Sequence, residues 1–201
     1  FLLTDPKRSM KSARRIVKSF EKVYGELAAP SPLLRGRSLS RGAISFDVTV
    51  EALKEAAKAG GGSLNDAYLA GIAGTLRRYH HALDADVPEV PLAMPVNLRR
   101  GHEGDTGNYF GAVLFGLPLH VEDPAERIAA IRALAQAGKQ EPAMAAPAWL
   151  APLLARLPTE MRGALSSKLG RPDVQASNIV GSPVPVYFAG QRVTGSYAFG
   201  P

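Results

Sequence analysis

The chain has 201 residues, 46% hydrophobic and 21% charged, a globular composition that excludes a disordered tail or a coiled coil. With no cysteine, disulfides, thiolate catalysis and cysteine-ligated metals are excluded, and a reducing compartment fits. The net charge of +6 sits in residues 1–42, with 10 Lys/Arg against 3 Asp/Glu; residues 43–201 hold 14 against 15, which argues against a nucleic-acid-binding body.

Lys7 to Leu27 reads as an amphipathic helix, with Met10, Ala13, Val17, Phe20 and Tyr24 at spacings of three and four and Asp5-Pro6 as its start. Its basic face suits an anionic membrane surface or an acidic partner, or is simply solvated. Ala29–Arg37 reads as an extended linker. Ala43–Val50 alternates and predicts a strand. Thr49–Ala59 predicts a short helix stopped by Gly60-Gly61-Gly62. Ser63 then opens a helix to about Ala82, with Leu69, Ile72, Ala73 and Leu76 as its apolar stripe.

Val90–Val96 and Tyr109–Leu117 predict strands. Asp123-Pro124 supplies an N-cap and a first-turn proline for a helix burying Ile128, Ile131, Leu134 and Ala135. Ala143–Leu157 is apolar and broken by prolines, and reads as short helices; Thr159–Leu169 reads as one more. Val174–Val180 predicts a strand, and Val184–Phe188 with Gln191–Gly195 a hairpin around Ala189-Gly190. Strands and helices mix without clean βαβ alternation. The expected class is therefore α+β, a mixed sheet with covering helices.

The longest charge-free stretches, Pro142–Ala155 with 14 residues and Val174–Gln191 with 18, carry prolines and polar groups, so neither reads as a spanning helix. The opening Phe-Leu-Leu-Thr-Asp-Pro does not read as a signal peptide and suggests a piece of a longer protein.

The Gly60–Gly62 run follows a helix and lacks the dinucleotide spacing, and neither a phosphate loop nor a G-x-S-x-G elbow occurs. His80 and His81 diverge by about 100° on a helix and cannot share a metal as H-E-x-x-H does. Ser63-Leu-Asn-Asp66 reads either as a capping box or as a helix start presenting Asn65 and Asp66 to a cleft. Pro95-Val-Asn-Leu-Arg99 places Asn97 and Arg99 at the end of a buried strand, and Gly107-Asn108 begins the next. Ser177 and Asn178 interrupt an otherwise apolar strand, where Ser177 pairs with backbone or donates to a developing oxyanion.

Taken in order, Ser63-Leu-Asn-Asp-Ala-Tyr-Leu-Ala, Pro95-Val-Asn-Leu-Arg, Gly107-Asn108, Leu117-Pro-Leu-His-Val-Glu-Asp-Pro-Ala-Glu-Arg127, Ser177-Asn-Ile-Val-Gly-Ser-Pro and Pro185-Val-Tyr-Phe-Ala-Gly190 resemble the C-terminal half of the bacterial wax ester synthase/diacylglycerol acyltransferase family. The family usually has Ser where Asn97 stands, and a Pro-Gly-Pro run where Val180-Gly-Ser-Pro183 stands. The resemblance implies the C-terminal half of a chloramphenicol acetyltransferase-like, CoA-dependent acyltransferase fold, in which two related halves enclose a tunnel. Residues 31–201 are then the C-terminal domain, and residues 1–30 a helix and linker from the preceding half.

The implied reaction moves a fatty acyl group from acyl-CoA to diacylglycerol or a long-chain alcohol. Acyl-CoA is the co-substrate, with no covalent cofactor and no metal. The base is the second His of an H-H-x-x-x-D-G motif in the N-terminal half. His80-His-Ala-Leu-Asp-Ala-Asp86 does not meet that motif and reads as a solvated helix end, so no catalytic residue is expected in this chain. Asn65, Asp66, Asn97, Arg99, Gly107, Asn108, Ser177 and Asn178 would shape the tunnel. Trp149, Leu150 and Leu153 would touch lipid, or be ordinary core. Implied partners are the N-terminal half and a membrane or lipid-droplet surface, with a cytoplasmic location on the inner membrane or on droplets. Two other readings remain open: a condensation domain acting on carrier-bound acyl groups, and a non-catalytic lipid-binding module.

Overall fold

A computed structural model describes residues 18–19, 28–36, 38, 40–97, 110–141, 156, 158–161, 172–179 and 181–197. Three helices carry strong local start signals. Helix α1 (Val50–Ala59) begins at Thr49, whose hydroxyl accepts from the Ala52 amide at 3.2 Å. Helix α2 (Leu64–Ala82) begins with a reciprocal capping box: Ser63 Oγ accepts from the Asp66 amide at 3.3 Å, and Asp66 Oδ2 accepts from the Ser63 amide at 2.7 Å. Helix α3 (Pro124–Lys139) begins at Asp123, whose Oδ1 accepts from the Ala125 and Glu126 amides at 2.9 Å each.

Strands β1 (Glu89–Asn97) and β2 (Phe110–Pro118) pair antiparallel along their whole length, from Glu89 opposite Pro118 to Asn97 opposite Phe110. Val90, Leu92 and Met94 stand opposite Leu117, Phe115 and Val113, and all six are buried. Strand β3 (Val174–Gln175) adds to the other edge of β1 in parallel, giving the order β2-β1-β3. Helix α3 lies on β2 and against α2, and α1 packs on both helices. Leu69, Ile128, Ile131 and Ala135 close the core from the helical side. This is the expected α+β arrangement, with a mixed sheet under covering helices.

Two close approaches explain two glycines. A Cβ at Gly60 would stand 2.5 Å from Ile128 Cβ and 2.9 Å from the Ala125 carbonyl oxygen. At Gly74 it would meet Arg127 Nη2 at 2.8 Å. Bare backbone at these points lets α3 close down on the end of α1 and on α2.

Strand β3 is far shorter than the expected Val174–Val180, and the prolines of β1 explain why. Pro91 and Ala93 accept from the Asp173 and Ala176 amides at 2.9 and 3.0 Å, so the odd-numbered residues of β1 point their backbone groups toward β3. Of Pro91, Ala93 and Pro95, Ala93 alone has an N–H to offer on that edge. The ladder toward β2 uses the even-numbered residues and is unaffected. Beyond Ala176 the chain leaves the sheet, and Ser177, Asn178 and Ile179 are exposed.

Other expectations need correction. Residues 43–49 form no strand: Ile44 is 89% and Phe46 80% exposed, the alternating pattern having no strand to pair with among the described residues. Leu134 is exposed, lying about 60° round the helix beyond Ile131, at the margin of the arc of Ile128, Ile131 and Ala135. The expected linker contains a 3-10 turn, Pro32–Leu34, capped by a fully buried Ser31.

The last hairpin turns where expected, at Ala189-Gly190, but its strands are shorter than the expected Val184–Phe188 and Gln191–Gly195. Strands β4 (Tyr187–Phe188) and β5 (Gln191–Arg192) flank Ala189 and Gly190, both at positive φ (49° and 79°), the geometry that matches a hairpin's twist. Of the helix expected over Lys7–Leu27, Lys18 and Ser19 are helical, as are Thr159–Met161 of the one expected over Thr159–Leu169; the remainder of both lies outside the described residues. Ala143–Leu157 lies outside them too, apart from Arg156.

Candidate functional site

The start of α2, the end of β1 and the exit of β3 converge at one end of the sheet. Asn65, in the first turn of α2, is half-buried, and its Nδ2 reaches Met94 Sδ at 3.2 Å. Continuing the parallel register of β3 by one residue brings Ala176 level with Met94. Ala176 is buried, so the next side chain, Ser177, turns the other way and is exposed, as is Asn178. That corrects the expectation of Ser177 and Asn178 inside an apolar strand. Asn97 ends β1 opposite Phe110, so both strands of the ladder leave the sheet at this same end. Arg99, Gly107, Asn108, Trp149, Leu150 and Leu153 lie outside the described residues.

Among the described residues, this end supplies amides and a hydroxyl, and no free base. Asp66 is buried, and its Oδ2 is taken by the Ser63 amide and by the Ser63 hydroxyl, which donates at 2.8 Å. Its role is the capping box rather than a cleft-facing acid. His80 lies some 22 Å further along α2, at 1.5 Å per residue. His120 is at the opposite end of the sheet, with Nδ1 3.0 Å from the Pro88 carbonyl oxygen. The described residues here can therefore hold a polar ligand, and none of them is placed to take a proton from an alcohol. Among the described residues there is no cluster of His, Asp and Glu able to hold a metal.

The sequence reading missed a buried polar knot at the far end of α2. His80 is 1% exposed, not a solvated helix end. Its Nδ1 lies 2.7 Å from the Leu76 carbonyl oxygen, and its Nε2 lies 2.7 Å from Ser31 Oγ. The carbonyl can only accept, so Nδ1 carries the proton and Nε2 accepts from the Ser31 hydroxyl. The Ser31 amide in turn donates to Asp173 Oδ2 at 2.6 Å.

Serine, histidine and aspartate thus meet, but not in the wiring of a hydrolytic triad. There the carboxylate orients the imidazole; here it binds the serine backbone, and a carbonyl orients the imidazole. A histidine near the end of a striped helix was the available signal for this knot; nothing in the sequence singled out Ser31.

Arg127 is a second buried group the sequence did not flag. Its Nε donates to the Ala70 carbonyl at 3.1 Å, and its Nη1 to Val121 and Glu122 at 2.8 and 3.3 Å. Burial, then the neighbouring Arg77 and Arg78, push its pKa down from the ordinary arginine value, against an opposing pull from Asp123. It staples α3 to α2 and to the turn before α3.

Residues 106–201 match the family model described as the WS/DGAT C-terminal domain. A Mycobacterium tuberculosis (strain H37Rv) protein provisionally named a diacylglycerol O-acyltransferase is 43% identical over 180 residues, covering 90% of this chain and 37% of the relative. A second protein of that strain with the same provisional name is 39% identical over 155 residues, or 74% of this chain and 34% of its own length. A Mycobacterium bovis counterpart is 37% identical over 161 residues, with the same coverage. The chain therefore spans little more than a third of the curated relatives it matches.

Among solved structures, the first condensation domain of the calcium-dependent antibiotic synthetase, in complex with a substrate analogue, superposes with a TM-score of 0.51 at 20% identity. The match covers 93% of this chain and 42% of that one. The shared fold is that of the chloramphenicol acetyltransferase-like, CoA-dependent acyltransferases. With that match and these relatives, residues 106–201 carry the C-terminal domain of the wax ester synthase/diacylglycerol acyltransferase family.

Proposed function

We propose that this chain is the C-terminal half of an O-acyltransferase that moves a fatty acyl group from acyl-CoA to diacylglycerol or a long-chain alcohol. The observation that carries the reading is the 43% identity, over 90% of the chain, to a relative provisionally named a diacylglycerol O-acyltransferase. In the reaction, the acceptor O–H gives its proton to a histidine of the N-terminal half. The oxygen attacks the thioester carbonyl, the C–S bond breaks, and the CoA thiolate leaves.

This half contributes walls and positioning. Asn65, with Ser177 and Asn178 leaving β3, faces the reacting passage, and Asn97, Arg99, Gly107 and Asn108 build its rim. Residues 31–201 form the domain, and residues 1–30 come from the preceding half or its crossover. The large exposed apolar side chains of residues 44–50 and of the last hairpin, Phe46 and Phe188 at 80% among them, suit a face that a companion half covers. No described helix is long and apolar enough to cross a membrane. The family resemblance supports peripheral attachment, on the cytoplasmic side of the inner membrane or on lipid droplets, with Trp149, Leu150 and Leu153 touching lipid. Vesicle binding that survives Trp149→Asp and Leu153→Asp overturns that last assignment.

The test is an acyltransferase assay with labelled acyl-CoA and diacylglycerol, run on the 201 residues alone and on one polypeptide joining them to the N-terminal half. Product is expected from the joined protein only. Full activity from the 201 residues, or none from the joined protein, overturns the proposal. Preference for a phosphopantetheine-linked acyl carrier over acyl-CoA turns the reading into a condensation domain.

A further inference from the structure

We propose that Ser31 is a positioning residue that couples the chain entering the domain to the segment carrying Ser177 and Asn178. The coupling runs through short contacts that are buried or part-buried. Ser31 is 0% exposed; its hydroxyl is held by His80 at the end of α2, and its amide donates to Asp173 Oδ2 at 2.6 Å. The Asp173 amide donates to the Pro91 carbonyl at 2.9 Å, Val174 and Gln175 make the two residue pairs of β3, and the Ala176 amide donates to Ala93 at 3.0 Å. Ser177 and Asn178 follow directly.

A two-residue strand is too short to hold its own position, because each backbone pairing offsets little more than the entropy of ordering its residues. Pro91 and Pro95 prevent β1 from extending it. The placement of Ser177 and Asn178 therefore depends on what holds the strand from its N-terminal side, and the bond from the Ser31 amide to Asp173 is one such hold. Since Ser31 lies just before the 3-10 turn Pro32–Leu34, the same residue fixes where the entering chain sits. A displacement of the connector becomes a displacement of the Ser177–Asn178 backbone. The site role of that backbone rests on the proposed acyltransferase reading; the mechanical coupling does not.

Two substitutions separate the hydroxyl from the amide. Ser31→Ala removes the bond to His80 and leaves the N–H on Asp173. Ser31→Pro removes the N–H as well, at a residue whose φ of −58° already suits proline. Hydrogen exchange of the intact protein reads the result. With Ser31→Pro the Asp173 and Ala176 amides are expected to exchange about tenfold faster, the scale of losing one hydrogen bond to a charged group.

The Leu69 and Ile131 amides, in the α2–α3 core, should keep their rates, and Ser31→Ala should leave Asp173 and Ala176 close to wild type. In the acyl transfer assay Ser31→Pro should lower kcat about tenfold with KM for diacylglycerol nearly unchanged, the pattern of misplaced rather than weakened binding. Unchanged exchange at Asp173 and Ala176, equal acceleration across all four amides, or an unchanged kcat in an active enzyme each overturns the proposal.

If the intact wild-type protein transfers no acyl group, the acyltransferase reading fails and the exchange arm still decides the coupling. Should Ser31→Pro fail to fold, Asp173→Asn replaces it, with about threefold faster exchange at Ala176 expected and no change overturning.

Discussion

The hydroxyl oxygen of Ser31 stands 2.7 Å from Nε2 of His80, and both side chains are shut away from solvent. With Nδ1 donating to the Leu76 carbonyl, the imidazole is satisfied on both sides. His80→Leu would roughly keep the volume but leave the buried Ser31 O–H without its acceptor, the Leu33 amide being its other partner. A loss of about 2–3 kcal/mol in unfolding free energy is expected by denaturant titration. A fluorophosphonate probe should leave Ser31 unlabelled, because nothing can approach its hydroxyl and the carboxylate does not orient the imidazole.

Two glycines should respond in opposite directions to the same change. Gly60→Ala puts a methyl into Ile128 and the Ala125 carbonyl, and is expected to cost about 1–3 kcal/mol. Gly71→Ala, on the exposed face of α2 with nothing within 4 Å, should gain about 0.5–1 kcal/mol from helix propensity. Thermal unfolding of both variants measures the contrast.

Loss of the α2 cap should be reversible by chemistry alone. Ser63→Ala removes the acceptor for the Asp66 amide and a donor to its carboxylate, and should cost about 1 kcal/mol; Ser63→Thr should restore most of it. Denaturant midpoints with an unchanged slope would check this.

The phenol of Tyr197 donates to both carboxylate oxygens of Asp47 at 3.2 Å, across 150 positions of sequence. That hydrogen bond, then the negative charge, raises its pKa above the ordinary 10.0. The folded value exceeds the unfolded one, so the contact favours the fold below about pH 10 and the contribution is lost as pH climbs through the raised value. Ultraviolet titration should show Tyr197 ionising late, and Asp47→Asn should bring it back toward 10.

The helices were legible because their start signals are local. Thr49, Ser63 and Asp123 each announce a cap within four residues, and each cap is present. The β1–β2 ladder was legible from two apolar runs of matching length. What failed was non-local. Residues 43–50 have a strand's alternation, yet alternation says nothing about whether another strand is available. Val174–Val180 has a strand's composition, but its length is limited by prolines 80 residues earlier in the chain. The Ser31 knot joins three segments by one hydroxyl, one amide and one carboxylate, which no periodicity reports. Of the candidate site, the α2 start and its Asn65 were readable; the bond from Asn65 to Met94 required the packed sheet.

The prolines of β1 also make the sheet mechanically lopsided. Toward β2 it is a nine-residue zipper; toward β3 it is a short clasp with a single β1 N–H behind it. Under gentle denaturant the molecule should therefore open from the β3 margin while the zipper stays shut, so that its earliest unfolding step would be a partial one, confined to a single flank.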